Sequence, residues 1–101
     1  MMRYVLLALL AEGEPKHGYA LMKDVEHLSD GRVRLSTGTL YGAIRRLVED
    51  SWIEPIESRD TSRDKQAYRL TSAGRTRLKR ELERLRHVTR TAASRIKPRT
   101  A

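Results

Sequence analysis

The 101 residues of the sequence fit a single domain with a thin core. Its 21 Lys and Arg residues outnumber 13 Asp and Glu residues, which gives a net charge of +8, and it contains no cysteine. Disulfides, thiolate nucleophiles and cysteine zinc sites are therefore excluded, and the composition suits a cytoplasmic protein.

The excess positive charge belongs to the C-terminal part of the chain. Residues 1–57 contain 7 basic and 9 acidic residues, whereas residues 58–101 contain 14 basic and 4 acidic ones. This asymmetry predicts a polyanionic partner, although a solvated basic helix would produce the same pattern.

The first predicted element is a helix in the segment YVLLALLAEG, which is apolar around its whole circumference. A helix needs an apolar stripe of only about 100° to cover one core, so a partner chain is predicted to cover its second apolar side. The apolar run of residues 5–11 is far shorter than the ~20 residues that span a bilayer, so no membrane association is expected.

A second helix is predicted over about residues 17–28, and Gly31 is expected to close it. Val33 and Leu35 alternate with arginines in the next few residues. This alternation predicts one short strand, which would be the minor strand of a sheet.

A third helix is predicted to begin after Ser36, whose hydroxyl suits an N-cap. Its apolar face consists of Leu40, Ile44, Leu47 and Val48. The other side contains Gly38 and Gly42, each of which costs a helix roughly 1 kcal/mol relative to alanine. We therefore expect the backbone there to approach another surface closely, as amides do when they bind a phosphate.

A hairpin and a last helix complete the predicted elements. Two short apolar runs, residues 52–56 and 67–70, flank a polar turn, and Pro55 is expected on an edge strand. The last helix is predicted from Thr71 or Ser72 to about Ile96. Its apolar residues have the spacing of a coiled-coil seam, and an ordinary amphipathic helix packed on its own domain is the alternative. These seam residues are Leu78, Leu82, Leu85, Thr89, Ala92 and Ile96.

The predicted order is helix, helix, strand, helix, strand, strand, helix. It is typical of a mainly α fold with a small β-wing: a winged helix-turn-helix over residues 1–70, with a C-terminal dimerisation helix and basic tail over residues 71–101. In such a fold the third helix enters the major groove of DNA, and the hairpin, or wing, reaches along the neighbouring backbone.

Three segments resemble the PadR family of bacterial transcriptional regulators: HGYAL at residues 17–21, GTLYGAIRRL at residues 38–47 and YRLTSAGR at residues 68–75. The resemblance covers about residues 3–80. It implies a homodimeric repressor that acts at promoters with dyad symmetry and is released by a small molecule. It also implies the compact subgroup, in which a single last helix dimerises with the first helix of the partner.

The sequence departs from the family pattern at two places. Ser51 stands where the family commonly has the glycine that ends the third helix. Either Ser51 or Asp50 is therefore expected to adopt the strained turn, or the helix is expected to end differently. The wing segment SRDTSRDKQ lacks the glycine and proline that are often found at the wing tip.

The predicted contacts with double-stranded DNA come from three elements. Tyr41 and Arg45 are four residues apart and are expected to face the groove together, with Arg45 suited to guanine. Ser36 is expected to act mainly as a cap, and Tyr19 is equally suited to the core. The full set is Lys16, His17 and Tyr19 at the second helix; Ser36, Thr37, Gly38, Thr39, Tyr41 and Arg45 at the third; and Arg59, Arg63 and Lys65 in the wing.

Homodimer contacts are predicted on the first and last helices. They are Val5, Leu6, Leu9, Leu78, Leu82, Leu85 and Ala92. Trp52 is predicted to fill the core between the wing and the third helix. Its use as a stacking surface for a small aromatic effector is the weaker interpretation.

Catalysis is not expected from this sequence. The three histidines lack the spacing of metal ligands, and neither a catalytic triad nor a Gly-rich phosphate loop is recognisable, so no cofactor, metal or enzymatic activity is predicted. Two other functions fit the same features. One is a winged-helix module that binds an acidic protein, and the other is sequence-indifferent nucleic-acid binding through the basic C-terminal part.

Overall fold

The computed structural model describes residues 2–56 and 66–96. Over these residues the chain forms four helices and three strands, which confirms the mainly α fold with a small sheet. The elements are α1 (Met2–Leu10), β1 (Lys16–His17), α2 (Gly18–Leu28), α3 (Thr37–Glu49), β2 (Ile53–Ile56), β3 (Ala67–Leu70) and α4 (Ser72–Arg95).

The three strands form one antiparallel sheet in the order β1-β3-β2. The hairpin of β2 and β3 pairs Ile53 with Leu70 and Ile56 with Ala67. Since β2 is an edge strand, Pro55 lies where a missing amide donor is tolerated, as predicted.

The predicted position of the minor strand was wrong. The third strand is β1, in which Lys16 pairs with Tyr68, whereas residues 32–35 form an irregular connection. The Val33 amide donates to the Ser29 hydroxyl at 2.9 Å, and the Arg32 amide donates to the Ser29 carbonyl at 3.1 Å. These amides are used in the turn that follows α2 and are not available to a neighbouring strand.

The core is centred on α1, which packs against α2, α4 and β3. Its own chain therefore covers much of the apolar circumference that was expected to need a partner. Met2, Tyr4, Val5 and Leu9 are half-buried, and Ala8 is exposed. The main buried side chains are Leu6, Leu7, Leu10, Leu21, Val25, Leu40, Ile44, Leu47, Ile53, Leu70 and Leu78.

The end of α3 is a tight turn that carries a non-glycine residue in the left-handed region. Ser51 has a φ of 60°, its amide donates to the carbonyl of Val48, and the Trp52 amide donates to the carbonyl of Leu47, both at 3.0 Å. This pair of bonds is a Schellman motif, in which the left-handed position is usually glycine. Of the two residues predicted to carry the strained turn, Ser51 does so and Asp50 does not.

The start of α4 is fixed to the end of α3. The Thr71 hydroxyl accepts a bond from the Gly74 amide at 3.0 Å, so Thr71 is the N-cap, and it donates to the Ser51 carbonyl at 2.6 Å. The Thr71 amide donates to the carbonyl of Trp52 at 3.0 Å. The end of α3 and the start of α4 are thus joined by direct hydrogen bonds.

Trp52 does not lie between the wing and α3 as predicted. The Arg3 guanidinium lies 4.3 Å from the centroid of its ring and that of Arg77 lies 5.5 Å away, while the Tyr4 ring stacks at 6.3 Å. The hydrogen bonds at the end of α3 direct the half-buried indole towards α1 and α4. Within residues 2–56 and 66–96, no helix is both long and apolar enough to cross a bilayer.

Candidate nucleic-acid interface

The two sides of α3 differ sharply in chemistry. Leu40, Ile44 and Leu47 are buried in the core, as predicted, while Arg45 and Arg46 are exposed on the other side. An amphipathic helix with this division exposes its polar side to solvent or to a partner.

Gly38 and Gly42 lie one turn apart on the exposed side of α3. Apart from the adjoining residues and the backbone of α3 itself, a Cβ atom added to either residue would meet no atom of the described chain within 4 Å. Packing within the described chain therefore does not require a glycine at either position, although each glycine lowers the stability of the helix. The expectation that the backbone here approaches a separate surface stays a prediction.

Arg46 belongs to the same exposed surface, and our sequence reasoning did not single it out. It borders a groove of about 390 Å³ together with Gly38, Gly42 and the first residues of α1, Met2 and Arg3. Its position four residues after Gly42 and eight after Gly38 is the signal that could have identified it.

The first turn of α3 combines a cap with exposed small residues. The Ser36 hydroxyl accepts a bond from the Thr39 amide at 3.1 Å and donates to the Thr39 hydroxyl at 2.9 Å, which confirms its role as a cap. Thr37 and Gly38 are exposed at the positive end of the helix dipole. Such a helix start is suited to a phosphate group.

Tyr41 is less exposed than expected. It is half-buried, and a Cβ atom at Gly18 would lie 2.8 Å from its hydroxyl oxygen, so the ring packs against the start of α2. Tyr41 and Arg45 still border one cleft of about 260 Å³, which also includes Tyr68. Both side chains were expected to lie on the solvent side of α3. Arg45 is exposed there, whereas Tyr41 packs partly against α2.

Lys16 lies in β1, before α2, and does not open that helix as predicted. His17 also belongs to β1, but it is the N-cap of α2 and therefore lies at the start of the helix as predicted. The Lys16 ammonium lies 2.8 Å from the Asp24 carboxylate, and this hydrogen bond raises the pKa of Lys16. A DNA phosphate would have to compete with Asp24 for this cation. Tyr19, in contrast, is 56% exposed, so it is a surface residue of α2.

The wing candidates Arg59, Arg63 and Lys65 lie outside the described residues. The structure does describe the base of the hairpin, where polar contacts connect its two strands. The Gln66 amide group donates to the Ile56 carbonyl at 2.5 Å, and Arg69 pairs with Glu54 at 2.7 Å. The Arg69 cation is therefore already engaged across the two strands.

The predicted dimer contacts fall into three groups, which are buried, half-buried and exposed in the single chain. Leu6 and Leu78 are buried in the core of the single chain, while Val5, Leu9 and Leu85 are half-buried. Leu82 is 44% exposed and Ala92 is exposed. Leu82 and Leu85 line a groove of about 350 Å³ on α4 with Thr89, Arg86 and Arg90.

Comparison with known protein families identifies this arrangement. The family described as "Transcriptional regulator PadR-like family" matches residues 6–80, from the middle of α1 into the first turns of α4. The chain belongs to the PadR-like family. Its helices, sheet and exposed α3 are thus the winged-helix fold of a family of transcriptional regulators, which supports DNA binding.

Solved PadR-like and related structures share this fold over nearly the whole chain. A transcriptional regulator from Clostridium thermocellum is 24% identical, with a TM-score of 0.77 over 94% of this chain and 92% of that one. A PadR-like transcriptional regulator from Bacillus cereus is 18% identical, with a TM-score of 0.79 over 97% and 93%. At these identities the likeness establishes the fold alone.

A closer match in sequence is a longer protein. The PadR-like chain is 40% identical over 77 residues to an uncharacterized 37.1 kDa protein in a transposon of Streptomyces fradiae. These residues are 76% of this chain but 21% of that protein. The chain therefore spans about a fifth of the curated relative that it matches.

Proposed function

We propose that this PadR-like protein is a homodimeric repressor that binds an inverted-repeat operator, with one α3 in the major groove of each half-site. The half-sites would lie roughly 10 base pairs apart, centre to centre, or a multiple of that spacing. Repression would follow because the bound dimer blocks RNA polymerase at the promoter.

The exposed side of α3 is the observation that carries this proposal. Its apolar side is fixed in the core, Gly38 and Gly42 leave its outer surface flat, and Arg45 and Arg46 extend from it. A helix surface with two glycines can approach the floor of a major groove closely. An arginine side chain can bind guanine there through two parallel hydrogen bonds.

The charge on α3 indicates which elements would provide sequence specificity and which would provide affinity. Arg45 and Arg46 are balanced in number by Glu49 and the capping residue Asp50, which pairs with Arg3 at 3.3 Å. A nearly neutral helix would contribute mainly to sequence-specific recognition of bases, because it adds little net attraction to phosphates. Affinity would then come mainly from phosphate contacts at the helix start and the wing, and from dimerisation.

A second copy of the chain would cover the exposed apolar surface of α4. Leu82, Val88 and Ile96 are respectively 44%, 48% and 75% exposed on this helix. Leu82 and Ile96 belong to the predicted seam, and the half-buried Val5 and Leu9 of α1 are further predicted contacts. Apolar residues at coiled-coil spacing favour helix pairing.

A small aromatic effector remains a prediction. The Trp52 ring is the surface on which we expect it to stack, and that ring is contacted by Arg3 and Arg77 of the same chain. An aromatic ligand would have to replace one of these guanidinium groups. Because Arg3 also pairs with Asp50 at the end of α3, such a replacement would act on the DNA-contacting helix.

Footprinting on the intergenic DNA next to the gene tests the proposal. The wild-type protein should protect a site with dyad symmetry. Arg45→Ala should weaken binding to that site by about 10-fold or more, since a bidentate base contact contributes about 1–3 kcal/mol of discrimination, and leave weak nonspecific binding nearly unchanged.

Arg45→Lys is the matched control for this experiment. It keeps the charge but loses the planar fork, so it should impair specific binding nearly as much as Arg45→Ala does. Equal loss of specific and nonspecific binding in both variants would contradict base recognition by Arg45 and favour sequence-indifferent binding.

A further inference from the structure

A cleft between α2 and α3 has a different lining from the clefts that contain Arg45 and Arg46. Its volume is about 270 Å³, and it is lined by Tyr19 and Met22 of α2 and by Thr37, Leu40 and Tyr41 of α3. None of these described residues is charged, whereas the other two clefts include charged side chains. We call this feature the α2–α3 cleft. Its lining suits an apolar group better than a phosphate, because a charge loses its hydration there without gaining a partner.

The packing of α2 on α3 forms this cleft and leaves it open to solvent. Leu40 is fully buried in the core, while Met22 and Tyr41 are half-buried against it. Tyr19 is 56% exposed, and the Lys23 ammonium lies 5.5 Å from the centroid of its ring. This cation–π contact restrains an aromatic ring that would otherwise move freely in water. The cleft therefore combines a fixed apolar interior with an aromatic side chain that a ligand can reach.

The α2–α3 cleft lies at the part of α3 that contacts bases in a helix-turn-helix. In such folds the first residues of the recognition helix reach the base edges. Thr37, the first residue of α3, is exposed and borders the cleft. Tyr41 borders both this cleft and the one that contains Arg45. Thr37, Tyr41 and Arg45 are spaced at four residues, or about 6 Å each along the axis, so a duplex that Arg45 contacts also passes the cleft.

Thymine presents an apolar group at this place in DNA. Its 5-methyl group lies in the major groove, where apolar side chains and threonine methyl groups contact it. Adenine, guanine and cytosine present hydrogen-bonding groups there instead. A cleft with an uncharged lining beside a base-contacting helix therefore discriminates in favour of thymine.

We propose that the α2–α3 cleft binds the 5-methyl group of a thymine in each half-site, and that Tyr19 and Met22 of α2 determine the preference for that base. This inference rests on the proposed function, because it requires α3 to lie in the major groove. It assigns base recognition to α2 as well as to α3. It also gives Tyr19 a contact with a base edge in place of a contact with a phosphate.

An operator in which uracil replaces thymine tests this contact, since uracil lacks only the 5-methyl group. Burial of one methyl group contributes about 4-fold in affinity. In fluorescence anisotropy titrations the wild-type protein should bind the uracil operator about 4-fold more weakly for one buried methyl group, and about 15-fold more weakly for one in each half-site. Equal affinities for the two operators would overturn the proposal.

Tyr19→Ala tests which side chain contacts the methyl group. The ratio of the affinities for the thymine and uracil operators should fall towards 1 in this variant, and further when Met22→Ala is added. Tyr19→Phe keeps the ring and should keep the wild-type ratio. A phosphate contact or a packing role of Tyr19 would weaken binding to both operators by the same factor. A wild-type ratio in Tyr19→Ala, with wild-type circular dichroism, would therefore overturn the proposal.

Leu28→Ala is the matched control for the loss of an exposed apolar side chain from α2. Leu28 is 65% exposed, and the described lining of the cleft does not include it. This variant should keep the wild-type ratio, and a ratio lowered as much as in Tyr19→Ala would overturn the proposal. A wild-type protein that protects no DNA site in footprinting would refute the operator function and this proposal together. A protected operator that binds equally well with uracil would overturn this proposal alone.

Discussion

Gly74, in the first turn of α4, lies directly against the backbone carbonyl of Trp52. A Cβ atom added to Gly74 would be 2.0 Å from that oxygen and 2.9 Å from a methyl carbon of Leu70. The same carbonyl accepts the Thr71 amide, so it cannot move away without breaking a hydrogen bond. This contact sets how closely the last helix approaches the end of α3.

Gly74→Ala is therefore expected to destabilise the fold. Overpacking of this kind costs about 1–3 kcal/mol, and a rigid backbone neighbour places this site at the upper end of that range. The free energy of unfolding should fall by about 2–3 kcal/mol in urea denaturation followed by circular dichroism. Gly42→Ala makes the same chemical change in open space and is the control; equal losses in the two variants would contradict the packing role of Gly74.

Ser51→Gly is expected to stabilise the protein. Ser51 has a φ of 60°, and a residue with a side chain loses roughly 1 kcal/mol or more in the left-handed region compared with glycine. The bond from the Thr71 hydroxyl to the Ser51 carbonyl does not involve the serine side chain and would remain. The unfolding free energy should rise by about 1 kcal/mol.

The neighbouring substitution Asp50→Gly should have the opposite effect. Asp50 has a right-handed conformation, with φ −79° and ψ −1°, and its carboxylate pairs with Arg3. Glycine there gains no relief of strain and loses the ion pair. Stabilisation by both substitutions would show that strain at residue 51 is not the cause.

Parts of this structure were predictable because they depend on residues close in sequence. Ser36 and the spacing of Leu40, Ile44 and Leu47 define α3 locally, and the structure has the same cap and the same buried face. The strained turn was also predictable, since Ser51 follows a helix that has to end before β2.

The position of β1 and the burial of Tyr41 depend on residues far apart in the sequence, so local sequence patterns did not predict them. The two residues of β1 have no alternation of their own, and they are a strand only because Lys16 and His17 pair with β3, some 50 residues away. Tyr41 looked like a surface residue from its spacing. It is half-buried because Gly18 lacks a side chain and leaves room for the ring.

Gly42→Ala should separate the stability of α3 from its function. Alanine in an exposed helix is about 0.5–1 kcal/mol more favourable than glycine. Outside the adjoining residues and the backbone of α3 itself, no atom of the described chain lies within 4 Å of the new methyl group. Thermal denaturation should therefore show a more stable protein. If the backbone at Gly42 approaches the operator closely, the same variant should bind it more weakly in a fluorescence anisotropy titration, and unchanged binding would remove Gly42 from the interface.

Asp24→Asn should strengthen DNA binding if Lys16 contacts a phosphate. The hydrogen bond that the Lys16 ammonium donates to the Asp24 carboxylate raises the pKa of Lys16 above its ordinary value of 10.5, so the pair is intact at neutral pH. Its contribution to stability is fully present below that ordinary value and is lost as the pH rises through the raised pKa. Removing the carboxylate frees the cation, and the slope of log affinity against log salt should steepen by about 0.9.

The control for this effect is Asp24→Asn in a Lys16→Gln background. Any gain that arises only from the smaller number of negative charges near the DNA would persist there. A gain that comes from the released Lys16 cation would disappear, and its persistence would exclude Lys16 as a phosphate contact.

Leu82→Asp together with Leu85→Asp should convert the protein to a monomer. Leu82 is 44% exposed and Leu85 is half-buried on a helix that extends from the core, so the single chain should tolerate both changes. In a dimer seam the two carboxylates would be buried without partners, at a cost of several kcal/mol. Sedimentation velocity at micromolar concentration should show a species of half the wild-type mass.

His87→Asp adds a carboxylate to the same helix and serves as the control. At 3.6 residues per turn, residue 87 lies on the side of α4 opposite the mean direction of Leu82 and Leu85. This variant should remain dimeric, because its charge would stay in water. A wild-type dimer that persists with aspartate at both seam positions would place the interface elsewhere, and operator binding at wild-type affinity by a monomeric variant would contradict the use of two half-sites.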